Sequence, residues 1–106
     1  MKLIAVVTTV GSLEAARAMA RALVERRLAA CAQIMPIESF YAWQGAVQNA
    51  PEFRVLFKTT DARYGAVEAA IRDLHEYELP ALHAVALEHA HAPYADWVAA
   101  GSSGMP

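Results

Sequence analysis

Residues 25–45 read ERRLAACAQIMPIESFYAWQG. The stretch turns from helical to alternating spacing near Leu28–Cys31, carries the only cysteine, and stays apolar and aromatic up to a turn at Gln44-Gly45. A second long strand follows, with Phe53, Val55, Phe57 and Thr59 on one face and Arg54, Leu56 and Lys58 on the other. Strands in globular domains mostly run to about six residues. The strand predicted from about Ala30 to Trp43, and the one rising to Lys58-Thr59, outrun the core that a chain of 106 residues builds alone. Both are expected to pair outside the chain, and another copy is the simplest partner.

Composition agrees with that expectation. The chain is 57% apolar and 19% charged, against averages of about 45–50% and about 25%. Much of the excess is alanine, a weak hydrophobe. A net charge of -2 argues against nucleic acid as a partner, because neutralising phosphates needs a basic face. No run reaches the roughly 18 apolar residues of a membrane span. Met1-Lys2-Leu3-Ile4 leads into Thr8-Thr9 without a small-residue cleavage site, and reads as a strand, not a signal peptide. A lone Cys31 excludes an intramolecular disulfide and fits a reducing, cytoplasmic location.

Working outward, Leu3 to Thr9 has the branched, apolar character of a central strand. Ser12 is placed to cap a helix striped by Ala16, Met19, Ala20, Leu23 and Val24, with Arg26 and Arg27 in its last turn. Thr60-Asp61 is expected to cap a second helix, striped by Tyr64, Val67, Ile71 and Leu74 and ended by His75. An extended linker over 76–80 leads to a strand from Leu82 to His89. Pro93 opens a short last helix that Gly101 terminates, leaving 101–106 as a flexible tail. The predicted class is α+β: a ferredoxin-like βαββαβ sandwich with an extra C-terminal helix, one domain over 1–106.

Three segments carry a family resemblance. Leu28-Ala29-Ala30-Cys31, Pro36-Ile37 and Tyr41-Ala42-Trp43-Gln44-Gly45 resemble the first signature of the CutA divalent-cation-tolerance family. His75-Glu76-Tyr77-Glu78-Leu79-Pro80 is similar to its second, and Tyr94-Ala95-Asp96-Trp97-Val98 to its last helix. The resemblance covers about residues 2–99. It implies a homotrimer joined through the long second and third strands, an architecture akin to the PII signalling trimers, and a role in tolerance of copper or another divalent cation. Glu76, Ala81 and Gln44 stand where the family usually has proline, an acid and lysine, which alters the charge lining any cleft nearby.

Candidate site residues follow. Cys31 is a soft ligand for copper or zinc, although a cysteine between alanines is commonly a small buried hydrophobe. His75 is the second metal candidate; at a helix C-terminus it has a structural alternative, stabilisation of its charged form by the dipole. The resemblance favours an intersubunit cleft holding Tyr41, Trp43, Lys58, Tyr77 and Glu78 beside Cys31 and His75. His89 and His91 form a weaker metal pair, pointing to one side if the strand persists through them. Tyr41, Trp43, Tyr94 and Trp97 read as interface anchors. No phosphate-binding loop, nucleophile elbow or paired-carboxylate motif indicates an enzyme. The alternative reading is a PII-like trimer that binds a small anionic metabolite in the same clefts.

Overall fold

A computed structural model describes residues 1–104 of the chain. The elements are β1 (Leu3–Val10), α1 (Leu13–Glu25), β2 (Cys31–Trp43), β3 (Ala46–Thr60), α2 (Tyr64–Leu74), β4 (Leu82–Leu87) and α3 (Ala92–Gly101), with a single 3-10 turn over Asp61–Arg63. The four strands form one antiparallel sheet in the order β2-β3-β1-β4. This α+β arrangement is the one the alternating patterns predicted.

Register explains where the core sits. Val6 lies opposite Phe57, Ile4 opposite Thr59 and Thr8 opposite Val55, so alternate residues of β1 and β3 share one face. Onto that face α1 lays Ala16, Met19 and Leu23, and α2 lays Val67, Ala70 and Ile71. Ser12 caps α1 as expected, its hydroxyl accepting from the Ala15 N–H at 3.0 Å. The opposite face carries Leu3, Ala5 and Val7, all buried, but leaves Val85 and Met35 about half exposed. There α3 crosses the sheet near Cys31 and Lys58.

The long strands are real. β1 pairs β3 only from Phe53 to Thr60, whereas β2 follows β3 down to Trp43 opposite Ala46. The β2–β3 hairpin therefore leaves the body as an arm, and the molecule measures 45 × 27 × 21 Å. Gln44 and Gly45 both have positive φ, 53° and 80°, the geometry a two-residue hairpin turn requires. The β1-facing edge of β3 from Ala46 to Glu52 has no strand beside it.

Four local expectations need correction. α1 ends at Glu25 without Arg26 or Arg27 in its last turn; Arg27 instead takes the left-handed conformation (φ 57°). Its N–H bonds the Val24 carbonyl while the Leu28 N–H bonds that of Leu23, which closes the helix in the pattern usually built on glycine. Thr60 makes no side-chain cap, and the 3-10 turn intervenes before α2. β4 stops at Leu87, short of His89. Residues 101–104, expected as a flexible tail, are tied down. Ser102 is buried with its hydroxyl on the Val98 carbonyl, the Gly104 N–H bonds the Arg27 carbonyl, and the Arg27 guanidinium bonds the Ala100 carbonyl and the Ser103 hydroxyl. Positions 105 and 106 lie outside the described residues.

Candidate functional site

The predicted site residues fall into two groups. At the start of β2, Cys31 pairs directly with Lys58 of β3. Tyr94 descends from α3 onto the pair, its hydroxyl 3.9 Å from the Cys31 sulfur and 3.5 Å from the Lys58 ammonium. That ammonium also lies 5.8 Å from the Tyr94 ring centroid, and Tyr94 stacks on Trp97 at 5.9 Å. Cys31 is a free, half-buried thiol. A thiol, a phenol and an ammonium are thus within reach of one another.

The second group lies where the arm leaves the body. The linker after α2 turns back across the end of β1, and His75 uses both ring nitrogens there. Its Nδ1 accepts the Tyr77 N–H at 3.1 Å, which fixes the tautomer so that Nε2–H donates to the Thr9 carbonyl at 2.7 Å. Tyr77 in turn donates its hydroxyl to Oε2 of Glu52 at 2.8 Å. Glu52 is only 7% exposed. A Cβ on Gly11 would stand 2.9 Å from the Tyr77 hydroxyl, so glycine leaves the passage the phenol occupies. Beside this chain of bonds is a mostly apolar cavity of about 130 Å³.

The Tyr77 phenol is pushed up to about 12. Loss of water around its hydroxyl is the main cause, followed by the hydrogen bond to Glu52 and by negative charge on Glu52. The residue as a whole is 39% exposed; the desolvation acts at the oxygen, which is wedged against Glu52 and Gly11. This phenol is a donor that keeps its proton.

The remaining predicted residues lie apart from Cys31. Trp43 is far out on the arm, twelve residues from Cys31 along β2, about 40 Å at strand rise, whereas Tyr41, two residues nearer, is close enough to Tyr77 for its charge to help raise that phenol. Within one chain they cannot share a pocket with Cys31. Glu78 is exposed, near Arg72, Asp73 and Pro80. With β4 ended at Leu87, His89 and His91 are exposed and no longer in strand register. Among the described residues, no three of His, Cys, Asp and Glu are placed to hold a metal ion together.

Sequence reasoning missed Glu52, Gly11 and the part Tyr94 plays at Cys31. Glu52 shares a face with Arg54 and Lys58, a pattern that reads as solvated; its burial comes from Tyr77, twenty-five residues away.

The family model of the CutA1 divalent ion tolerance protein matches residues 4–101. The chain belongs to the CutA1 family. A divalent-cation tolerance protein CutA from Thermus thermophilus is 40% identical over 94 residues, 88% of this chain and 91% of that protein. Its namesake from Archaeoglobus fulgidus is 36% identical over 90 residues, 85% and 88% of the two chains. Solved CutA structures share the architecture. The Thermus protein superposes with a TM-score of 0.91 at 38% identity, covering 94% of this chain and 98% of that one. The Archaeoglobus protein, described as periplasmic, gives 0.92 at 32% identity with the same coverage.

Proposed function

We propose that this CutA1 chain works as a homotrimer of ferredoxin-like subunits in tolerance of divalent cations, copper foremost, by weak or regulated metal binding. The observation that carries the reading is the arm. Its open β3 edge and its exposed Phe40, Tyr41, Trp43 and Val47 offer backbone donors, acceptors and apolar surface that a single chain leaves uncovered. Neighbouring copies would cover both, and would bring Tyr41 and Trp43 of one chain toward the Cys31–Lys58 end of another.

Cys31 is the leading ligand, because its thiol is uncommitted to any strong hydrogen bond. His75 is second, since a metal on it must displace either the Tyr77 N–H or the Thr9 carbonyl. We place the protein in the cytoplasm, on its single free thiol. Fractionation of cells followed by immunoblotting tests that placement. The PII-like alternative, a trimer reporting a small anionic metabolite, is less supported. The two-residue turn at Gln44-Gly45 leaves no long loop between β2 and β3 to close on such a ligand.

The test is calorimetric titration of the purified protein with Cu(II), Cu(I), Zn(II) and a panel of nucleotides. Metal binding that weakens in Cys31→Ser supports the proposal. Nucleotide binding without metal binding favours the alternative, and unchanged metal affinity in both Cys31→Ser and His75→Ala removes the ligand assignment.

A further inference from the structure

Glu52 is the first β3 residue past the end of pairing with β1, and the residue as a whole is more than nine-tenths buried. One oxygen, Oε2, accepts the Tyr77 hydroxyl; Oε1 accepts no hydrogen bond among the described residues and reaches the surface. The only ion pair among the described residues joins Arg72 and Glu68. Arg54, two residues along the same face, is exposed and makes no ion pair with Glu52. A largely buried carboxylate met by one neutral donor, with its second oxygen open at the surface, is placed to accept a cation from outside the chain.

We propose that Glu52 is the receptor for an ammonium or guanidinium side chain of a second copy of this chain, received at the root of the arm. The inference rests on the homotrimer reading and names a contact within it. Tyr77 is the positioning residue. Its phenol, held by the His75 bridge and admitted by Gly11, fixes Oε2 and leaves Oε1 for the incoming donor.

The local chemistry selects this kind of cation. A metal ion needs several ligands, but the phenol keeps its proton and both His75 nitrogens are engaged. A lysine or arginine needs only the one carboxylate, and an arginine can use both of its oxygens. Position selects the source. The unpaired β3 edge from Ala46 ends at Glu52, so a chain seated along that edge delivers side chains to this carboxylate.

Glu52→Gln tests the proposal, because the amide oxygen still accepts from Tyr77 while the charge is gone. Sedimentation velocity over a dilution series, at low and high salt, gives the trimer dissociation constant for both proteins. We expect about tenfold weaker assembly for Glu52→Gln, and a salt dependence present in wild type and reduced in the variant. Equal dissociation constants and equal salt dependence would overturn the inference and leave the trimer standing. A wild-type monomer would overturn both. Assembly unchanged in the variant, together with methylguanidinium binding seen by calorimetry in wild type alone, would show a free cationic ligand and overturn the role of the second copy. Should Glu52→Gln fail to fold, Glu52→Asp keeps the charge but withdraws it. It is expected to assemble several-fold more weakly, and wild-type assembly in that variant overturns the proposal.

Discussion

Val10 pairs with Phe53, and Glu52, the next residue of β3 toward the hairpin, has no strand beside it on that side. The root of the arm is set by that boundary. What stands in place of a strand is a set of side chains: Gly11 leaves a gap, Tyr77 fills it, and His75 holds Tyr77 to the end of β1.

Gly11→Ala is therefore expected to cost about 1–3 kcal/mol, since the new Cβ would stand 2.9 Å from the Tyr77 hydroxyl and displace it from Glu52. Urea unfolding gives the number. Tyr77→Phe should be milder, as it loses the bond without pushing the ring aside.

The tyrosine also predicts a pH dependence. Its folded pKa is raised to about 12 from the ordinary 10.0. A neutral acid with a raised pKa stabilises the fold fully below the unfolded value and loses that contribution as pH climbs through the folded one. Stability should fall between pH 10 and about 12. Ultraviolet titration of phenolate should show the latest-ionising tyrosine of wild type missing in Tyr77→Phe, with Tyr64, which loss of water and then Glu68 also raise, still ionising above the ordinary value.

His75→Ala should lower stability by about 1–3 kcal/mol, because it strands the Thr9 carbonyl and the Tyr77 N–H. Thermal unfolding monitored by circular dichroism checks it. A loss of metal affinity without loss of stability would instead make His75 primarily a ligand.

Arg27 separates two effects. Arg27→Gly relieves the left-handed backbone but removes the tether to Ala100 and Ser103, whereas Arg27→Ala removes the tether and keeps the strain. Alanine should be the less stable of the two by about 1 kcal/mol. In both, amides of residues 100–104 should exchange with solvent faster than in wild type.

Local pattern carried most of this fold in the sequence. Alternation from Phe53 to Thr59 marked a strand half buried on one face, Ser12 marked the start of α1, and the spacing of Val67 and Ile71 marked the buried side of α2. Glu25–Gly45 showed a strand too long for its own core. What escaped were features made by contacts distant in sequence. Glu88-His89 continues the look of a strand, but β1 runs out of partners at Leu3, opposite Leu87. Arg27 gave no sign of a left-handed residue, since glycine usually marks one and here hydrogen bonds to 100–104 accompany it. The resemblance implied a cleft between subunits, and the length of β2, which separates Trp43 from Cys31 within the chain, leaves such a cleft to contacts that no single sequence displays. Glu52 looked solvated because nothing near it in sequence reveals Tyr77.

The proposed function depends on the arm being completed by other copies. The most direct measurement is the mass of the native particle by sedimentation equilibrium at micromolar concentration. A folded species of about three times the 11.5 kDa chain is the predicted result. A folded species of single-chain mass would contradict it.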